Sequence, residues 1–290
     1  MLRALLLSSR PLSWINTAYP FALAYLLLAR PIDWVVLIVG TVYFLVPYNL
    51  AVYGINDVFD YESDLRNPRK GGVEGAVLAP ALHRPVLLAV AVTNLPFLVV
   101  LVLLGGPASW VALAVSVFAV VAYSAKGLRF KERPVLDSIT SSTHFVSPAV
   151  YAAALAGRAD ASTVLLLTAF FCWGMASHAF GAVQDIPADR EAGIGSIATV
   201  FGAAATVRFA AALYAAAGIL ALLAGWPMWL AALGAVPYLV MVWPYLRLRD
   251  ADAARANGGW RRFLAVNYGV GAYVSILTIA AIVLPLVFGW

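Results

Sequence analysis

The chain has 290 residues, of which 63% are hydrophobic and 11% charged, with a mean hydropathy of +0.88 and a net charge of +5. Water-soluble domains carry about 25% charged residues, so this composition excludes one and describes an all-α integral membrane protein. Its surplus of positive charge fits membrane topology and anionic headgroups, and gives no hint of nucleic acid.

Crossing a bilayer as a helix takes about 20 apolar residues, and nine runs near that length are predicted along the chain. Arg3 and Arg10 precede the first, 12 to 30; a signal peptide is the competing reading, set aside because the run is long and no small-x-small cleavage site stands out. The others are 34 to 55, 85 to 104, 108 to 125, 136 to 156, 162 to 184, 202 to 224, 227 to 246 and 263 to 289. The fifth carries SITSSTHF and is polar for a span. The eighth contains Pro237 and Pro244, each removing a backbone donor that neighbours must replace. Cys172, the lone cysteine, allows no internal disulfide and is expected to pack as a small apolar residue in the sixth run.

Nine spans place alternate loops on opposite sides, and of the 19 Lys and Arg residues only Arg30 and Arg158 then fall on the second side. The positive-inside rule makes the first side cytoplasmic, with the N-terminus inside and the C-terminus outside.

Acidic residues follow the same division, since only Asp33 and Asp160 of the 14 lie outside. Two groups stand out: Asn56, Asp57, Asp60 and Asp64 after the second run, and Asp185 and Asp189 after the sixth. Spacings of three, four and seven predict one helical face for Asp57, Asp60 and Asp64, and Asp185 and Asp189 are one turn apart. The shared D-x-x-x-D spacing of Asp60/Asp64 and Asp185/Asp189 suggests an old four-helix duplication, although little else repeats.

Solvated helix ends are the plain explanation for such acids. Stacked carboxylates repel, however, and an Asp at the bilayer centre costs roughly 2.5 to 3.5 kcal/mol. Hard oxygen donors with few soft ligands nearby suit Mg²⁺, which is typically held by one or two carboxylates plus phosphate oxygens. Bases stand next to them: Arg66, Arg69 and Lys70 after the first group, Lys126, Arg129, Lys131 and Arg133 in YSAKGLRFKERP, and Arg190 after the second. Such cations complement the remaining oxygens of a diphosphate.

At these motifs the sequence resembles the UbiA superfamily of intramembrane prenyltransferases, across essentially the whole chain. Asn56, Asp57, Asp60 and Asp64 match its NDxxDxxxD motif, and Asp185 and Asp189 match its DxxxD motif. The resemblance implies a single helical domain over residues 1–290, nine helices bundled around a central cavity. Two Mg²⁺ ions would hold an isoprenyl diphosphate, such as dimethylallyl diphosphate, toward the cytoplasm of a multi-pass cell-membrane protein. YSAKGLRFK is similar to the family's YSAPPLKLK-type segment, which implies substrate-binding roles for Tyr123, Arg129 and Lys131; Lys126 stands where proline is common. Pro187, inside the second motif, predicts a kinked or capped helix end. The wording YGINDVFDYESDLRNPRKGG and QDIPADREAGIGSIATVFGA is most like the lycopene elongase branch, which implies lycopene as acceptor. A quinone precursor, chlorophyllide or lipid acceptor is the alternative by the same chemistry.

Breaking the allylic carbon–oxygen bond yields a carbocation that needs a dry, aromatic-lined cavity. Tyr48, Tyr53, Phe59, Tyr123, His144, Phe180 and Tyr268 are candidates for lining it, and His144 or His178 for accepting a proton. Asn16, Asn49, Asn94 and Asn267 are expected to bond across helices. A secondary transporter is the rival of another class, but transporters keep ionisable groups near the midplane on broken helices, unlike carboxylates gathered at one face beside bases. A CDP-alcohol phosphotransferase would need a DGxxAR-type signature that is missing.

Overall fold

The computed structural model describes residues 1–65 and 77–288, and only the backbone of 63, 64, 285, 286 and 288. Arg66, Arg69 and Lys70 therefore lie outside the described residues, as does the Asp64 side chain. Every regular element among the described residues is helical. Among the described residues, seven runs are long and apolar enough to cross a membrane: Trp34–Phe59, Pro80–Leu104, Pro107–Ser124, Ala161–Val183, Ala203–Leu222, Met228–Tyr245 and Asp250–Leu284. The first predicted run is the shorter apolar helix Ile15–Leu28, and the fifth is a helix at Leu136–Ala156. The chain divides into two compact units.

Residues 1–130 and 143–158 form the first unit. It comprises α1 (Leu2–Ser8), α2 (Ile15–Leu28), α3 (Trp34–Leu45), α4 (Pro47–Phe59), α5 (Tyr61–Asp64), α6 (His83–Leu104), α7 (Pro107–Ser124) and the larger part of α8 (Leu136–Ala156). Asp33 caps α3, its carboxylate accepting from the Val35 and Val36 amides at 2.8 and 3.2 Å. The single helix predicted over 34 to 55 is two, because Pro47 has no N–H to continue α3 and instead opens α4. Two of the predicted membrane asparagines repair that break. Asn49 donates through Nδ2 to the Phe44 and Leu45 carbonyls and to Thr17 Oγ1, and Asn94 Nδ2 donates to the Pro47 carbonyl at 2.8 Å. Phe21, Tyr43, Phe44, Tyr48 and Tyr151 are fully or nearly fully buried in this unit's core.

Residues 131–142 and 159–290 form the second unit. After the first turns of α8 come α9 (Ala161–Val183), α10 (Ile186–Ala192), α11 (Ile197–Phe201), α12 (Ala203–Leu222), α13 (Ala235–Val242) and α14 (Asn257–Phe288). Small residues let α9 and its neighbours approach closely: a Cβ on Gly174 would stand 3.1 Å from the Ser142 Cα, and one on Gly181 3.0 Å from the Trp260 ring. The predicted weakness of the eighth run is real. Short 3₁₀ turns at Met228–Gly234 and Trp243–Tyr245 flank α13, with Pro237 and Pro244 in place. Phe180, Tyr214 and Tyr238 lie in the core of this unit, and Asn267 Oδ1 accepts from the Tyr238 hydroxyl at 3.2 Å.

Candidate active site

The first aspartate group does not sit on one continuous helix. α4 ends at Phe59, Asp60 caps it with φ −101° and ψ 1°, and α5 restarts at Tyr61. The predicted common face over 57, 60 and 64 is thus broken at its middle residue. Its outcome is to bury the first two carboxylates: Asp57 is 0% exposed and Asp60 6%.

Each of these buried carboxylates faces a guanidinium. Arg129 Nη2 lies 3.7 Å from Asp60 Oδ1, and its Nη1 donates to the Phe59 carbonyl at 3.3 Å. Arg129 takes up this position with φ +41°, after the turn at Gly127. Arg10 Nη2 donates to Asp57 Oδ1 at 3.2 Å, with its guanidinium carbon 4.3 Å from the Tyr53 ring centre. The sequence signals only that Arg10 is one more cytoplasmic base; nothing in its spacing links a residue 47 positions away to Asp57. Asn56 Oδ1 accepts from Ser124 Oγ at 2.9 Å, one residue past Tyr123. Tyr123 itself stands edge-on to His144 at 5.1 Å. Lys126 is exposed in the turn after α7, beside Gly127 with φ +91°.

In the second unit Asp185 ends one helix and begins the next. α9 stops at Val183, Asp185 occupies the N-cap of α10, and Pro187 takes a first-turn position where its missing donor costs nothing. This is the capped end that Pro187 predicts. The Asp189 amide donates to the Asp185 carbonyl at 2.8 Å, keeping the two one turn apart, and both side chains are half-buried. Gln184 is held just ahead of them, accepting from Asn257 Nδ2 at 2.6 Å and donating to the Gly181 carbonyl at 3.0 Å. The sequence leaves the pairing of Gln184 with Asn257 unmarked. Lys131 lies in a short 3₁₀ turn, Phe130–Glu132, against which Gly195 packs: a Cβ there would stand 2.7 Å from the Glu132 carbonyl oxygen. Arg190 is turned to structural partners, pairing with Asp250 Oδ2 at 2.8 Å and donating to the Thr199 carbonyl at 2.8 and 3.1 Å.

Among the cavity candidates, Tyr48 and Phe180 are 1% and 0% exposed and belong to the packed cores. Tyr48 donates to the His144 carbonyl and accepts from Ser116 Oγ, so its hydroxyl serves the interior polar network. Phe59 and Tyr268 are exposed. The donor set fits a hard divalent cation: Asp57 and Asp60 offer buried carboxylate oxygens already balanced by positive charge, while the soft Cys172 thiol sits within α9. No three His, Cys, Asp or Glu side chains converge among the described residues. Mg²⁺ does not need three, because phosphate oxygens and water complete its shell.

Comparison with known proteins identifies the family. The family model described as the UbiA prenyltransferase family matches residues 17–268. The chain belongs to this family. A lycopene elongase/hydratase of Corynebacterium glutamicum is 52% identical over 96% of this chain and 97% of its own length. The C(50) beta-cyclic carotenoids biosynthesis protein LbtBC of a Dietzia species is 57% identical over 95% of this chain, which spans 64% of that longer protein. A UbiA homologue from Archaeoglobus fulgidus, solved with GPP and Mg²⁺, superposes with a TM-score of 0.68 over 92% of this chain and 99% of its own, at 17% identity. The fold is therefore the family's, and the protein is a prenyltransferase.

Proposed function

We propose that this UbiA-family enzyme transfers a prenyl group from an allylic diphosphate to lycopene, with Mg²⁺ as cofactor and dimethylallyl diphosphate as the donor. Identity of 52% over nearly the full length to a lycopene elongase/hydratase carries this reading. Both aspartate groups support it, because they supply the hard oxygen donors that diphosphate chemistry requires.

Asp57, Asp60, Asp64, Asp185 and Asp189 would hold the metal. When bound, it would supply Lewis-acid stabilisation of the charge that grows on the leaving diphosphate. Asn56, Tyr123, Lys126, Arg129, Lys131 and Arg190, with Arg66, Arg69 and Lys70, would bind and orient that diphosphate. Arg129 supports the assignment by standing beside Asp60, where it can exchange a carboxylate contact for a phosphate contact. Arg190 would have to leave Asp250 to serve; it is 44% exposed, so the exchange costs little. Arg10 joins the list, since its guanidinium already neutralises Asp57. The donor carbon–oxygen bond breaks as the acceptor alkene attacks, and the positive charge passes to the acceptor.

The same reading gives a single nine-span transmembrane domain with the N-terminus and the active site toward the cytoplasm, in contact with membrane lipids. Expression in a lycopene-accumulating host, followed by mass spectrometry of the pigments, tests the function. Added mass of one or two five-carbon units is the expected result. An unchanged pigment profile overturns lycopene as acceptor and moves the search to quinone precursors, chlorophyllide or lipids.

A further inference from the structure

Transfer to an alkene leaves a problem that diphosphate chemistry does not solve. Once the acceptor π pair has closed on the donor carbon and the diphosphate has left, a tertiary cation remains on the acceptor. It can end in two ways, and each releases one proton: an adjacent C–H bond gives its electron pair to a new C=C, or water adds its oxygen and loses an O–H proton. Some group must take that proton in a dry site. His83 stands at the start of α6, and two histidines lie within the runs predicted from the sequence, His144 and His178.

The structure separates them. His144 packs edge-on against Tyr123 and is 4% exposed. His178 instead has a carboxylate beside it: its Nε2 lies 3.9 Å from Asp137 Oδ2, with its side chain 20% exposed. Asp137 is 0% exposed and fixed from both oxygens. Oδ2 accepts from the Ile197 amide at 2.7 Å, and Oδ1 accepts from the Ser138 amide at 2.7 Å and the Ser138 hydroxyl at 3.2 Å. Asp137 is thus a carboxylate fixed in place beside the His178 imidazole, a side chain whose ring nitrogens can give or take a proton. This imidazole–carboxylate pair lies within one unit of the chain, among α8, α9 and α11.

Position fits the task as well as chemistry. His178 lies on the last turns of α9, seven residues before Asp185, which follows the end of that helix as the N-cap of α10. Gly174 and Gly181 lie on the same face of α9 as His178 and let Ser142 and Trp260 close in above and below it. Trp260 stacks on Phe263 at 4.7 Å, and Phe263 on Trp173 at 6.2 Å, putting π faces close to this stretch of α9.

We propose that His178 is the proton acceptor that ends the acceptor-side cation, and that Asp137 is its positioning residue. The inference rests on the prenyl-transfer reading above. The step balances: one C–H or O–H bond breaks, its pair forms C=C or stays on oxygen, and the proton leaves on a ring nitrogen of His178.

The test compares wild type, His178→Gln and Asp137→Asn in membranes supplied with Mg²⁺, labelled dimethylallyl diphosphate and lycopene. Three readouts are needed: donor binding in the absence of lycopene, elongated product formed per unit time, and the ratio of hydrated to dehydrated product by mass. Expected for both variants are wild-type donor binding, product formation at least tenfold lower and an altered ratio, with the smaller effect in Asp137→Asn. Wild-type rate and ratio in His178→Gln overturn the proposal. So does loss of donor binding in proportion to loss of product, which marks a structural role. If wild type itself leaves lycopene unchanged, the acceptor assignment has failed instead, and the two failures are told apart.

Discussion

Asp57 has no exposed surface, and an ionised carboxylate in such a place costs several kcal/mol unless a cation stands beside it. Arg10 is that cation at 3.2 Å, and its guanidinium lies over the Tyr53 ring. Truncating one partner of a buried pair costs about 3–5 kcal/mol, so Arg10→Ala is expected to lower the thermal unfolding midpoint of the detergent-solubilised protein by several degrees in Mg²⁺-free buffer. Arg10→Lys should recover part of it, since an ammonium keeps the charge but lacks the planar fork. An unchanged midpoint in Arg10→Ala would show that Asp57 does not depend on this contact. The carboxylates themselves are expected to be indispensable: Asp57→Ala, Asp60→Ala or Asp185→Ala should each abolish transfer in membranes given Mg²⁺ and allylic diphosphate, as should excess EDTA with the unaltered chain. Retained activity in chelator would rule out the metal. At this scale the motif residues were legible because acids are rare in so apolar a chain, whereas Arg10, Gln184 and Asn257 were not. Their partners stand 47, 73 and 73 residues away, and no local pattern announces such a contact.

Among the elements, α8 shows best how composition translates into packing. Its polar run made it a doubtful span, yet the helix occupies Leu136–Ala156 as predicted, and Ser138, Thr140, Ser142, His144 and Ser147 are all buried. Turned inward, those hydroxyls find partners: Ser142 Oγ donates to the Phe171 carbonyl at 2.7 Å, and Ser147 Oγ to Ser116 Oγ at 2.7 Å. The α8–α9 approach depends on Gly174 having no side chain, because the Ser142 backbone is in the way of any Cβ. Gly174→Ala should therefore destabilise by about 1–3 kcal/mol, the usual range for overpacking, despite alanine's better helix propensity. A thermal midpoint equal to or above that of the unaltered chain would mean α8 can move aside. The broken face of the first aspartate group was the element-scale error. Periodicity assumes that a helix continues, and neither the turn at Asp60 nor the restart at Tyr61 has a proline or glycine to mark it.

For the whole molecule, the basic-residue asymmetry predicts an odd number of spans with the N-terminus inside. A reporter fused before Met1 should be accessible from the cytoplasm and one fused after Trp290 from outside; finding both on one side would require an even number. Hydropathy determined the membrane character, the helical runs and the two acid groups, because a bilayer imposes length and apolarity on each span separately and taxes every charge within it. What hydropathy could not decide was which distant side chains meet. The guanidinium beside Asp57, the carboxylate beside His178 and the hydroxyl beside Asn56 depend on how helices far apart in the chain pack together. Packing is settled by shape and by the need to pair every buried polar group, and both are properties of the folded arrangement rather than of any local stretch of sequence.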